Sequence, residues 1–109
     1  MYISVLKKIG DRATDMQQGD LIHEDIVSGF ANHESVEIDF NGMKTILSTF
    51  LNNAIGALYK DYSSECLNSN LKIVNLCDDD MFILKKVIAR AKDFYANPQD
   101  VTDALNDSL

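Results

Sequence analysis

The sequence predicts a small α/β domain in which a mixed β-sheet with a parallel core is covered by helices. Segments with strand-like patterns alternate with segments of helical spacing in the order β, α, β, α, β, α. Right-handed crossovers between such strands place neighbours parallel. A chain of 109 residues is long enough for one hydrophobic core and too short for two. We therefore expect residues 1–109 to form a single domain.

The amino-terminal segment is rich in β-forming residues and predicts a strand over residues 2–8. The turn residues Gly10 and Asp11 end that strand. Asp20 is the natural N-cap of the helix that follows. The apolar residues of this helix recur at intervals of four, which is typical of one helical face: Ile22, Ile26 and Phe30.

A second strand is predicted over residues 36–40, where apolar side chains alternate with two carboxylates. The turn Asn41-Gly42 ends it, and a crossover leads into a helix that begins at Thr49 and ends near Ser63. The apolar positions of that helix keep helical spacing: Leu51, Ala54, Ile55, Leu58 and Tyr62.

The apolar run of residues 71–76 predicts a third, buried strand. Asp78–Asp80 then occupy the first turn of a third helix, whose basic residues come later, as the helix dipole favours. A short closing helix is predicted at the end of the chain, with Asn97 as its cap and Pro98 at its first position. Its inward-facing residues are Val101, Ala104 and Leu105.

Charge and hydropathy argue against binding to nucleic acids or membranes. Ten Lys and Arg residues against seventeen Asp and Glu residues leave a formal net charge of −7. This charge repels a phosphate backbone and an anionic membrane surface, so neither nucleic-acid nor membrane binding is expected. The apolar runs are too short to span a membrane, and the first ten residues lack the pattern of a secretory signal. We expect a cytoplasmic protein.

The sequence predicts neither a cofactor nor a metal site. Its glycines are too scattered for a phosphate-binding loop. Cys66 and Cys77 lack the spacing of a zinc or redox motif, so two reduced cysteines are expected, with a disulfide as the alternative for an exported protein. His23 and Asp25 are metal-ligating types, but near neighbours on a helix point in different directions. Asp78–Asp80 lack the spaced acids of a calcium loop.

The sequence gives no catalytic motif. No serine has the flanking glycines of a nucleophile elbow, and neither cysteine belongs to a recognisable Cys–His arrangement. We therefore do not expect an enzyme. The enzymatic alternative is a hydrolase or transferase that uses Asp39 or His23.

A family resemblance centres on the segment "VEIDFNGMKTILSTFLNNAIGAL". It resembles the STAS domains of anti-sigma factor antagonists, which have a strand, a small-residue turn, a short hydrophobic step and a hydroxyl-bearing element that opens a helix. The matching parts are residues 36–40, 41–43, 45–46 and 47–50. The chain is still more similar to a bacterial STAS-like domain family of unknown function. That resemblance runs from about Gly19 to Tyr95 and is carried by residues 39–42, 49–59 and 71–76.

The resemblance implies a phosphorylation site at the start of the helix. In anti-sigma factor antagonists a partner kinase phosphorylates a hydroxyl there, and the phosphate breaks the complex. The matching residue is Thr49, with Ser48 beside it. Leu47 and Phe50 depart from the Asp and Gly of the antagonists, and Asn53 replaces the Glu of the STAS-like family. The residues alone also predict that Thr49 is an N-cap, bonded to the N–H of Leu51 or Asn52.

The function implied by the resemblance is that of a non-enzymatic regulatory module. Its partner would be an ATP-binding protein of the anti-sigma or histidine-kinase type. The alternative is a sensor of a small ligand or nucleotide, and the oligomeric state is left open. The predicted partner-binding residues are Gly42, Met43, Lys44, Thr45, Leu47, Ser48, Thr49, Asn52 and Asn53.

Overall fold

A computed structural model describes the backbone of residues 1–105 and the side chains of residues 1–95. Its strands are β1 (Tyr2–Ser4), β2 (Arg12–Ala13), β3 (Val36–Asp39), β4 (Thr45–Ile46) and β5 (Leu71–Val74). Its helices are α1 (Val5–Ile9), α2 (Met16–Ala31), α3 (Ser48–Ala54), a 3₁₀-helix (Gly56–Lys60), α4 (Ser64–Asn70) and α5 (Asp78–Leu105).

The main sheet has the strand order β1-β3-β5, and both of its strand pairs are parallel. Ile38 in the central strand lies opposite Ile3 on one side and Ile73 on the other. A second, two-stranded sheet pairs β2 with β4, again in parallel. The predicted α/β class and the parallel core are confirmed, and residues 1–105 contain no antiparallel pair.

The two faces of the main sheet differ sharply. One face carries the side chains of Ile3, Val36 and Ile38, which pack into the core beneath the helices. The opposite face carries Tyr2, which is 59% exposed, and the half-buried Glu37. Parallel sheets are usually covered on both faces, so this sheet is unusual in leaving one polar face open.

The helices bring their apolar sides together over the sheet. Among the fully buried side chains are Ile22, Ile26, Phe50, Leu51, Leu58 and Leu84. Helices α2 and α3 approach so closely that a Cβ atom at Gly19 would lie 2.6 Å from the carbonyl oxygen of Phe50. Real Cβ contacts are essentially never that short, so this crossing requires glycine.

Two predicted boundaries in the first third of the chain are wrong. The initial strand ends at Ser4 instead of residue 8, because Ser4 caps α1 by accepting a hydrogen bond from the backbone N–H of Lys7. Helix α2 begins at Met16 and is capped by Asp15, so Asp20 lies inside the helix. Asp15 and Gln18 form a reciprocal capping box that starts the helix a turn earlier.

The predicted helix from Thr49 to Ser63 is divided. Helix α3 ends at Ala54, and after Ile55 the chain continues as the 3₁₀-helix. Helix α4, which is capped by Ser63, then covers residues for which no helix was predicted. Strand β5 ends at Val74 instead of residue 76.

The predicted closing helix is not a separate element. Helix α5 continues through Asn97 and Pro98 to Leu105, so Asn97 does not cap a new helix. The inward orientation predicted for Val101, Ala104 and Leu105 lies outside the residues whose side chains are described. Over residues 1–105, no helix combines the length and apolar character that crossing a membrane requires.

Candidate functional site

The candidate site lies at the start of α3 and is held in place by the small β2–β4 sheet. The backbone N–H groups of Lys44 and Leu47 donate to the carbonyl oxygens of Asp11 and Ala13, at 2.8 and 2.9 Å. Ala13 and Ile46, which lie opposite each other in this sheet, are both buried. Backbone hydrogen bonds therefore hold the chain before and after β4, the strand that leads into α3.

Helix α3 has no side-chain cap, which corrects the prediction for Thr49. Leu47 occupies the N-cap position, and its side chain is 45% exposed. Ser48 and Thr49 follow as the first two helical residues, and both are exposed. The Thr49 hydroxyl donates a hydrogen bond to the carbonyl oxygen of Thr14 at 3.0 Å. Thr49 therefore links two segments of the fold instead of capping its own helix.

A polar contact also joins α3 to α2 at the edge of their interface. The amide nitrogen Nδ2 of Asn53 donates to Oδ1 of Asp20 at 3.0 Å. Asn52 is exposed. A glutamate in place of Asn53, as in the STAS-like pattern, would put two carboxylates together here. Asparagine at this position therefore fits the presence of Asp20.

A groove of about 380 Å³ separates the start of α3 from α5. Leu47, Ser48 and Thr49 line one wall. Lys86 and Arg90 line the opposite wall, on α5. Hydroxyls and cations thus share one groove, although they are about forty residues apart in the sequence.

The predicted partner-binding residues are divided between two grooves and the loop that precedes α3. Leu47, Ser48 and Thr49 line the groove just described, and Asn52 and Asn53 line a second groove of about 280 Å³ farther along α5. The residues Gly42, Met43, Lys44 and Thr45 line neither groove. Gly42 has a positive φ of 85° and lies against Leu6, while Nζ of Lys44 lies 3.7 Å from a carboxylate oxygen of Asp11.

Lys86 and Arg90 were not predicted as site residues from the sequence. The basic residues of this helix were assigned only an interaction with the helix dipole. The available signal was their spacing, because residues four apart lie on one helical face. Which face meets α3 depends on tertiary packing, so the spacing alone does not identify the groove.

Asp39 is the centre of a hydrogen-bond network at the carboxyl end of β3. It accepts hydrogen bonds from the hydroxyl of Tyr2, from Nδ2 of Asn75 at 2.8 Å and from the backbone N–H of Asn41 at 2.9 Å. These donors, Tyr2 first, lower the pKa of Asp39, and the same bond raises the pKa of Tyr2. A carboxylate stabilised in this way is a poor general base, so the network fits a positioning role.

The other candidate catalytic and metal-ligating residues are dispersed. Nδ1 of His23 is buried and has no hydrogen-bond partner within residues 1–95. Asp25 instead pairs with Lys8, with 3.0 Å between Nζ and Oδ2. Across the side chains that are described, no three or more His, Cys, Asp or Glu residues lie together as metal ligands would.

The two cysteines are free, and they differ in environment. Cys66 is half-buried and Cys77 is exposed. The thiol of Cys77 donates to Oδ2 of Asp80 at 3.2 Å. Asp78–Asp80 form the first turn of α5, as the sequence predicts.

The family of this chain is decided by its middle segment. Residues 18–81 match the family model of a STAS-like domain of unknown function. The chain belongs to this STAS-like family. The matched segment runs from α2 into the first turn of α5 and contains the whole α3 wall of the groove. The family resemblance expected from the sequence is therefore confirmed, and a STAS-like domain fits a regulatory module. No curated protein and no solved structure matches the chain.

Proposed function

We propose that this STAS-like domain is a non-enzymatic regulatory module that binds a protein partner at the start of α3. The observation that best supports this proposal is that Leu47, Ser48 and Thr49 are exposed together at a helix start held by backbone hydrogen bonds. An exposed leucine offers apolar contact area, and the two neighbouring residues offer polar groups. Because the β2–β4 sheet already holds this helix start, little ordering is needed when the partner binds.

The proposed partner is an ATP-binding protein of the anti-sigma or histidine-kinase type, acting as a kinase on this surface. The support is the resemblance of residues 36–50 to anti-sigma factor antagonists. The partner would transfer the γ-phosphoryl group of ATP to a side-chain oxygen, releasing ADP and the hydroxyl proton. The new phosphate would bring nearly two negative charges to the docking surface, which would weaken the complex.

Ser48 is the better of the two candidate acceptors. Its hydroxyl is exposed and has no hydrogen-bond partner among residues 1–95. The Thr49 hydroxyl already donates to Thr14, so phosphorylation there would break that bond and place an anion against a carbonyl oxygen. We therefore expect phosphate on Ser48 first, with Thr49 as the secondary acceptor.

The test is binding to an ATP-binding protein of this type from the same organism. Ser48→Glu is expected to weaken the complex at least tenfold in isothermal titration calorimetry, because its carboxylate mimics part of the phosphate charge. Ser28→Glu, on the exposed surface of α2, is the matched control and should bind like the wild type. Equal affinities for the two variants would contradict this docking surface.

Phosphorylation has its own readout. Incubation with the same partner and Mg-ATP should increase the intact mass of the wild type by one phosphoryl group. Ser48→Ala should remove most of that modification, and Ser48→Ala combined with Thr49→Val should remove all of it. An unchanged mass, with the complex still formed, would leave the binding proposal standing and refute the phosphorylation.

A small-ligand sensor is the second candidate function, supported by a different cleft. This cleft, of about 580 Å³, lies at the amino ends of β1, β3 and β5 and is lined in part by Glu37 and Lys72. Its volume falls within the usual range of ligand pockets, about 300–1,000 Å³. The sensor predicts a rise in melting temperature with ATP or ADP in the absence of any protein, and Lys72→Ala should abolish that rise. No shift with either nucleotide would count against it.

A further inference from the structure

One face of α5 carries two cationic side chains between two aromatic ones, each about one helical turn from the next. Phe82, Lys86, Arg90 and Phe94 follow one another at intervals of four and are all exposed. We call these four residues the α5 row. The two phenylalanines are 60% and 67% exposed, and Nζ of Lys86 lies 4.4 Å from the ring centroid of Phe82. The row is about 18 Å long, at about 1.5 Å of rise per residue.

Three members of the α5 row line the two grooves beside α3. Lys86 and Arg90 line the groove at the start of α3, and Arg90 and Phe94 line the adjoining one. Val87 belongs to both and is buried between them. The two grooves therefore adjoin each other along α5 and share part of an apolar lining that includes Ile83, Val87 and Ala91; together we call them the α3–α5 groove.

The groove is cationic in a strongly acidic protein. The chain has a net charge of −7, yet Lys86 and Arg90 belong to none of the ion pairs formed by residues 1–95. Among the lysines and arginines of residues 1–95 only Lys8 and Lys44 form ion pairs, so Lys86 and Arg90 are distinguished by sharing one groove. Two uncompensated cations beside an apolar lining favour an anionic occupant with an apolar anchor and disfavour a basic one.

We propose that the α3–α5 groove docks an acidic, amphipathic segment of the partner protein. Apolar side chains of that segment pack on the exposed Leu47 and the half-buried Ile83, and its carboxylates lie at Lys86 and Arg90. Exposed aromatic rings at both ends of the α5 row extend the contact, in the way that a groove receives an amphipathic helix. This inference rests on the proposed function, because it specifies the partner chemistry of the same surface.

The groove gives the phosphate switch a physical basis. Ser48 lines the same groove as Lys86 and Arg90. A phosphate on Ser48 brings a dianion into the space that the partner's carboxylates require. The phosphate and the partner then compete for the same two cations, so phosphorylation releases the partner.

The first test selects peptides from a random phage-displayed library on the wild-type protein. The selected peptides should be enriched in Asp and Glu and contain a Leu, Ile or Phe. Synthetic copies should bind at least tenfold more weakly to the double variant Lys86→Glu/Arg90→Glu. The matched control, Lys85→Glu/Lys92→Glu, has the same net charge on the same helix but leaves the groove unchanged and should bind like the wild type.

Several outcomes would overturn the inference. Selected peptides without acidic residues would do so, as would equal affinity for the two double variants, with circular dichroism showing that both are folded. A wild type that is dimeric in sedimentation, with a monomeric Lys86→Glu/Arg90→Glu variant, would assign the groove to a second copy instead. If inorganic phosphate shifts the amide resonances of Lys86 and Arg90 and no acidic peptide does so, the groove is an anion-binding site and the inference is refuted.

Different results would refute the acidic partner segment and the proposed docking surface. If Ser48→Glu releases the ATP-binding partner while Lys86→Glu/Arg90→Glu binds it like the wild type, the docking surface stands and the acidic segment is refuted. If neither variant changes the affinity, both are refuted. Loss of binding in both variants, with the Lys85→Glu/Lys92→Glu control intact, supports both.

Discussion

The Thr49 hydroxyl donates a hydrogen bond to the carbonyl oxygen of Thr14 at 3.0 Å, which joins the start of α3 to the segment before α2. The backbone N–H of Thr14 in turn donates to Oε1 of Gln18 at 2.8 Å, within the capping box of α2. The amino ends of the two helices are therefore connected through one residue, Thr14. Loss of the Thr49 hydroxyl should therefore affect the starts of both helices.

Removal of this hydrogen bond should lower the stability of the fold. Thr49→Val keeps the shape of the side chain but leaves the partly buried Thr14 without its donor, so the free energy of unfolding should fall by about 1 kcal/mol. Thr49→Ser should keep most of the stability. Urea denaturation measures both. Ser48→Ala is the control and should change stability by less than about 0.5 kcal/mol; a loss equal to that of Thr49→Val would contradict the role of the bond.

Gly19→Ala should destabilise the protein although alanine is the better helix former. A Cβ atom at Gly19 would lie 2.6 Å from the Phe50 carbonyl oxygen and 2.8 Å from Cβ of Asn53, so α2 and α3 must move apart. Overpacking of this kind costs about 1–3 kcal/mol, more than the helix propensity of about 1 kcal/mol returns. Thermal and urea unfolding measure the change. Ser28→Ala, on the exposed surface of α2, should be close to neutral, and a Gly19→Ala protein as stable as Ser28→Ala would contradict the close crossing.

The contact between Asn53 and Asp20 should tolerate only one carboxylate. Asn53→Asp places two like charges where the amide now donates at 3.0 Å, so stability should fall by about 0.5 kcal/mol, in keeping with an exposed site. Adding Asp20→Asn restores one donor and one acceptor and should recover the loss. Urea midpoints at low and high salt measure both effects, since salt screens the repulsion. A double variant no more stable than Asn53→Asp would show that the residues do not interact.

The Tyr2–Asp39 bond should make stability depend on acid pH. The pKa of Asp39 is lowered, chiefly by the Tyr2 hydroxyl, so the stabilisation is present above the ordinary aspartate pKa of about 3.9. It is lost as the pH falls from that value through the lowered pKa. Tyr2→Phe should raise the pKa of Asp39 in a carboxyl NMR titration. Its stability deficit should be constant at neutral pH and shrink below about pH 4.

The Tyr2–Asp39 hydrogen bond can also be checked from the tyrosine side. Asp39→Asn should lower the pKa of Tyr2 towards its ordinary value of 10.0, because the acceptor charge that raises this pKa is removed. Tyr62→Phe is the control, since Tyr62 packs against Phe30 and is not a donor to Asp39. A Tyr2→Phe protein with an unchanged Asp39 pKa would rule out the bond in solution.

The sequence predicted best the features that depend on near neighbours. Strand β3 was located because Val36, Ile38 and Phe40 alternate with carboxylates, and all three are buried. The start of α2 was placed wrongly at Asp20, although Asp15 and Gln18 have the spacing of the capping box that starts the helix. Helix α4 was missed because serine and asparagine dominate it and only Leu67 is fully buried in the core.

The site was harder to predict because its contacts join distant parts of the chain. Thr49 had the residue type of an N-cap, but its partner Thr14 lies 35 residues away. Strand β2 holds the loop before α3 with only two residues, too few for a strand pattern. The positions of Lys86 and Arg90 depend on how α5 is rotated against α3, which a single sequence does not encode locally.

Helix α5 begins inside the family-matched segment, residues 18–81, and continues beyond it, so only one wall of the α3–α5 groove belongs to the part of the chain that defines the family. The wall on α3 lies in the matched segment, whereas Lys86 and Arg90 follow its end. Both cationic residues are exposed, so they can be exchanged without repacking the core. Domains that share the α3 wall could therefore diverge in partner choice through a few surface substitutions on one helix.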